Sequence, residues 1–200
     1  MNPSTMNRFR NRVRHMTLAL VALSAGASYG LAQDHASHME AMKKQDKSSD
    51  AAALLKAVRE ATQRFKDVNI AKAEGYVLQF GCVSGSDSGA MGLHYVNGNL
   101  VAGGVLDRTR PQIIIYEPMP DGSQKLIGAD FLVIAEQWHK THKETPELMG
   151  QLFHLFEAPN RFGLPPFYTL HVWAWKDNPN GAFVNWHPNV SCNSFSGQNQ

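Results

Sequence analysis

Three side chains in the sequence could hold or activate something together: His94, Glu117 and His171. Each lies in a stretch that reads as a strand, where side chains alternate between two faces. In Tyr168–Trp175, Thr169, His171, Trp173 and Trp175 share one face, while Tyr168, Leu170, Val172 and Ala174 form an ordinary core face. In Leu93–Val96, Gly92, His94 and Val96 share a face; in Gln112–Glu117, Ile113 and Ile115 share one with Glu117. Two imidazoles and a carboxylate suit Zn, Fe or Mn and leave positions open for water or substrate. Glu117 would be either the third ligand or a base acting on metal-bound water. Tyr95, Tyr116, Trp173 and Trp175 would then wall a pocket. The same residues allow two other readings. One is a binding module for an apolar or sugar-like ligand, with the histidines as hydrogen-bonding groups. The other is a structural or envelope interaction protein in which they are satisfied core groups.

Other histidines are weaker candidates. His139 and His142 have i, i+3 spacing, but Lys140 and Lys143 beside them point to a solvated loop. Gln33-Asp34-His35 would offer Cu(II) or Ni(II) a square-planar nitrogen set if the mature chain began at Gln33. An ordinary solvated tail is the simpler reading of that segment.

The ends of the chain set its compartment. Arg8, Arg10, Arg12 and Arg14 precede the apolar run Met16–Ala27, and Gly30-Leu31-Ala32 offers a cleavage site. Residues 1–32 thus read as a secretory signal peptide, the run being shorter than the ~20 apolar residues of a membrane span. Its removal takes away four arginines and no acid, turning the formal charge of +2 into −2. No basic stripe is left for nucleic acid. The expected location is periplasmic or secreted, with no membrane span after cleavage, and the expected partner is a metal ion or small molecule. In such a compartment two cysteines favour a bond, here Cys82 to Cys192.

The elements that must position the site follow from periodicity and turns. Residues 33–49 are polar and uneven, an expected flexible arm, and 50–200 read as one domain. Asp50 is a candidate cap for a helix whose stripe is Ala53, Leu54, Ala57, Val58, Ala61 and Phe65. Asp67 caps a second short helix, Val68–Glu74. Strands are expected over Tyr76–Val83 and Leu93–Val96. A hairpin pairs Gln112–Glu117 with Lys125–Ile134 around Pro120-Asp121-Gly122. Thr145-Pro146-Glu147 reads as a helix start. Asn178-Pro179-Asn180-Gly181 reads as a turn between the strand from Tyr168 and a second short strand. The expected fold is α+β: a twisted, mainly antiparallel sheet with N-terminal helices packed against it, or as the alternative a small closed barrel.

Four phrases together, ATQRFKDVNIAKAEGY, GAMGLHYVN, RPQIIIYEP and FYTLHVWAWKDNPNGAFVNWHPNVSC, resemble a family of small exported bacterial proteins of unknown function. The likeness covers roughly Ala61–Cys192. It implies that His94, Glu117, His171 and the terminal cysteine belong to a common pattern. Asn is the more usual residue at the place of His187, which argues against His187 as a ligand.

Overall fold

The computed structural model describes residues 26–85 and 87–197. The signal peptide read over residues 1–32 lies for the most part outside them. The chain divides into two compact units, residues 1–44 and 45–200. Among the described residues no helix is long and apolar enough to cross a membrane.

Helix α1 spans Gly26–Thr62. It therefore runs through the segment 33–49, and Asp50, expected to cap its start, sits inside it. From Leu31 to Thr62 there is no Gly or Pro to stop a helix, and Ala, Met, Lys, Glu and Gln propagate one well. The expected apolar stripe is in place: Leu54 and Val58 are fully buried, as is Phe65 in the 3-10 turn Gln63–Lys66 that follows. Helix α2, Val68–Ala73, is capped by the Asp67 carboxylate accepting from Asn69 N.

Six strands form one antiparallel, curled half-barrel sheet, which makes the fold α+β. They are β1 (Val77–Ser84), β2 (Ala90–Val96), β3 (Ile113–Pro118), β4 (Gln124–Ile134), β7 (His154–Phe156) and β8 (Phe167–Val172), in the spatial order β1-β2-β3-β4-β8-β7. The expected β3–β4 hairpin turns where Asp121 accepts from Ser123 N and Gly122 takes φ +82°. Helix α3 (Gly98–Gly103) bridges β2 and β3, and α4 (Ala135–His139) follows β4.

Two expectations are corrected. The segment after Thr145 is not a helix but a small hairpin, β5 (Glu147–Leu148) and β6 (Gln151–Leu152). Met149 and Gly150 have φ of 49° and 74°, the double left-handed turn that closes a two-residue hairpin. The strand from Tyr168 ends at Val172 rather than Trp175, and the stretch after the Asn178 turn forms no second strand. It makes one isolated bridge, His187 to Ala90. The indoles and the prolines explain this. Trp173 Nε1 donates to Val184 O and its backbone N–H turns to Ala182 O, while Trp175 Nε1 donates to Thr62 Oγ1 and its backbone N–H makes a single further bond to Ile127 O of β4. Pro179 and Pro188 cannot donate to a ladder. The C-terminal segment is held instead by the Cys82–Cys192 disulfide, which spans 110 residues as the cysteine count suggested.

One face of the sheet carries the helices. Tyr116 donates its hydroxyl to Phe65 O, and the Tyr95 and Tyr116 rings meet edge to face at 5.2 Å. The other face, inside the curl, carries His94 and His171.

Candidate metal centre

His94 lies on β2 and His171 on β8, three strand spacings apart in the order β2-β3-β4-β8. In a flat sheet that is roughly 14 Å at ~4.8 Å per strand. Their Nε2 atoms are nonetheless 3.4 Å apart. The curl closes that distance, and two glycines permit it. Gly92 has φ +93°, and a Cβ there would lie 2.6 Å from Tyr116 O; a Cβ on Gly128 would lie 2.6 Å from Val172 O. Bare backbone at both points lets neighbouring strands crowd together on the concave side.

The carboxylate beside the imidazoles is Asp130 of β4, which pairs with His171 across the ladder. His94, Asp130 and His171 each offer a ligand atom within 4.8 Å of the others, and all three are buried. Asp130 Oδ1 accepts from Thr169 Oγ1 at 2.5 Å, and Oδ2 faces His171 Nδ1 at 3.4 Å. That last contact lacks hydrogen-bond alignment, so His171 Nδ1 is a buried nitrogen with no hydrogen-bond partner.

The protons follow from the partners. His94 Nδ1 lies 3.0 Å from Gly92 O, a carbonyl that can only accept. Nδ1 therefore carries the hydrogen and Nε2 presents a lone pair. Nothing bonds His171 Nδ1, so its ring admits two tautomers: with the hydrogen on Nδ1, facing the Asp130 carboxylate, Nε2 presents a second lone pair; with it on Nε2, the ring donates to His94 Nε2. In the first tautomer the two nitrogens can share a cation; in the second they share a hydrogen. The spacing is that of two ligands on one tetrahedral ion, about 3.3 Å for metal–nitrogen bonds of about 2.0–2.1 Å. A carboxylate facing the far nitrogen of a ligating imidazole is the usual support for such a bond.

Electrostatics keep the imidazoles neutral. Burial takes His94 down to about 4, with the neighbouring His171 pushing the same way and Asp130 opposing. Burial takes His171 to about 3, helped by His154. Burial also raises Asp130 to about 6, against the hydrogen bond from Thr169. Both imidazoles are thus neutral at neutral pH, the charge state that metal binding requires.

A cavity of about 30 Å³ opens against the trio, walled by Phe80, Met91, Phe156, Phe162, Leu164 and Phe167 among others. The four aromatics expected from the sequence do not line it. Tyr95 and Tyr116 belong to the helix-covered face. Trp175 is bonded to Thr62 on α1. Trp173 comes nearest, its ring 5.8 Å from His171 and 4.9 Å from His187.

Glu117 is not brought to the histidines. Both its oxygens accept from Lys176 Nζ, at 2.8 and 2.7 Å, and Lys176 also donates to Asn189 O. The pair clamps the C-terminal segment to β3. His187 is fully engaged, Nε2 with Asp177 O and Nδ1 accepting from Asn189 N. His139 joins His142 O and Tyr168 Oη, while His142 stacks on Trp138 at 3.7 Å. Among the described residues neither His139 nor His142 joins a group that could hold a metal ion.

Asp130 escaped the sequence reading although a signal existed. It is the one charge inside the apolar run Leu126–Ile134, and a mid-strand carboxylate is buried only with partners. Comparison with protein-family models, curated proteins and solved structures gives no match.

Proposed function

We propose that this is an exported protein that binds one divalent transition-metal ion through His94 Nε2 and His171 Nε2, with Asp130 supplying the compensating charge. The observation that carries this reading is the buried group of His94, Asp130 and His171, whose ligand atoms lie within 4.8 Å of one another, with the two imidazole Nε2 atoms 3.4 Å apart. Nitrogen and oxygen donors with two protein imidazoles favour Zn, Fe or Mn, and they leave at least one coordination position to water or a small ligand. The disulfide supports an oxidising compartment. The size of the cavity argues against the sugar-like ligand considered from the sequence, because organic ligands occupy roughly 300–1,000 Å³.

Elemental analysis of untagged protein purified from an oxidising compartment tests the reading. One ion per chain is expected, with less than a tenth of that in a His94→Ala/His171→Ala variant that keeps its fold. Deleting residues 33–49 should leave the ion in place. No metal in any form, and no thermal shift with Zn, Fe(II), Mn or Co(II), would leave the trio as a polar cluster of a structural protein.

A further inference from the structure

We infer that the cavity beside the two imidazoles is a site for one uncharged diatomic ligand, taken at the open position of the bound ion; this rests on the metal reading above. The space is about 30 Å³. A single water needs about 10–15 Å³. An ion between the nitrogens and one molecule of two heavy atoms therefore exhaust it, and a sugar, nucleotide or amino acid is excluded by volume.

The walls select charge as well as size. Among the described residues the only polar lining side chain apart from the His–Asp–His trio is Thr169, whose hydroxyl is already given to Asp130. Among the described residues no lysine or arginine lines the cavity, so an anion would find its counter-charge only at the ion, whose charge Asp130 already partly offsets, and would leave its hydration behind in the apolar walls. A neutral diatomic has little hydration to lose.

The roof is built rather than incidental. Phe80, Phe162 and Leu164 cover the cavity and are each only partly exposed. Phe80 has φ 63°, a conformation a bulky residue rarely adopts, in the bulge that shifts register between Gln79 and Cys82. That bulge presents its ring to Phe162, edge to face at 5.3 Å. Asn160 holds the opposite side of the roof: its amide donates to Glu157 O and Leu164 O, and its Oδ1 accepts from Phe162 N and Leu164 N. Backbone strain kept in place by packing, directly over a polar cluster, is the pattern of a functional pocket.

The test uses full-length mature protein loaded anaerobically with Fe(II), with bound iron measured before any ligand is added. Nitric oxide is the probe for the diatomic and imidazole is the probe one size larger. The wild-type protein should take one nitric oxide per iron, read by the half-integer-spin iron–nitrosyl EPR signal, and should reject imidazole. Leu132→Phe, which fills the cavity, should keep iron and lose nitric oxide affinity at least tenfold. Phe162→Ala should admit imidazole, so the result does not hinge on whether Leu132→Phe folds. Iron-loaded wild type that ignores nitric oxide, or accepts imidazole as readily as Phe162→Ala, overturns the inference. Protein that holds no iron but binds Zn, Mn or Co(II) overturns this inference and leaves the metal reading standing, whereas protein that holds none of these metals overturns the metal reading itself; the metal measurement separates the two cases before any ligand is added.

Discussion

The behaviour of the centre is decided by three protons. In metal-free protein the folded state keeps His94 and His171 neutral down to about pH 4 and 3, whereas the unfolded chain protonates both below the ordinary value of 6.5. Unfolding in that window takes up two protons. Asp130 acts in the opposite sense, because its folded-state carboxyl holds until about 6 a proton that the unfolded chain releases near 3.8. The net uptake is about one proton. Stability of the metal-free protein should thus be full above pH 6.5 and fall by about 1.4 kcal/mol per pH unit between about pH 6 and 4. Urea titrations across that range would measure it, and His94→Gln should flatten the curve. Metal affinity should have a different dependence. The imidazoles need no deprotonation at pH 6, so affinity should decline below about pH 6 with the protonation of Asp130 alone. Asp130→Asn should weaken Co(II) binding about 10–100-fold and remove that pH dependence, as titration of the Co(II) optical spectrum would reveal. Unchanged affinity would remove Asp130 from the site.

At the scale of elements, the curl of the sheet is what makes a site out of distant strands. It depends on bare backbone at the β2–β3 and β4–β8 crossings. Gly92→Ala meets both a left-handed φ and a carbonyl at 2.6 Å, and should cost about 3 kcal/mol in chemical denaturation together with loss of metal binding. Gly122→Ala is the control, since its φ is also positive but no atom lies within 4 Å of the added methyl group. It should cost about 1 kcal/mol and leave the metal untouched. The same scale explains what was and was not legible beforehand. The helix stripe at Leu54, Val58 and Phe65 and the β3–β4 hairpin were readable because they rest on local periodicity and turn chemistry. The β5–β6 hairpin was not, because Pro146-Glu147 is equally a helix start, and only Met149 taking φ 49° resolves the choice.

For the molecule as a whole, the C-terminal segment is attached to the sheet by a few long-range ties. They include the disulfide, the Glu117–Lys176 pair and the His187–Ala90 bridge, and Trp175 Nε1 to Thr62 and Arg59 Nε to Ala174 O add ties to α1. The disulfide closes the longest loop, and chain entropy for about 100 residues gives about 4–5 kcal/mol. Reduced protein, or Cys82→Ala/Cys192→Ala, should lose about that much in urea unfolding. Metal at a hundredfold above its Kd should restore about 2.7 kcal/mol of the loss, provided the sheet still closes. If reduction leaves the midpoint unchanged, the other ties carry the segment unaided.

The sequence by itself determined the α+β class and the strand pairing around Asp121-Gly122, favoured the cysteine pair, and singled out His94 and His171 without fixing whether they meet. Each follows from alternation, turn residues or parity, which act over a few neighbours or need only a count. It could not choose the carboxylate. Alternation and strand position pointed to Glu117, and Asp130, the lone charge inside an apolar run, carried a signal of burial but none of what it faces. The tertiary structure decided for Asp130, because the curl carries β2 over β3 toward β8 while Lys176, arriving from the C-terminal segment, takes Glu117 for itself. The pocket walls were decided in the same way. Phe80, Phe156 and Phe162 come from β1, β7 and the loop before β8, and meet over the histidines only because the sheet bends.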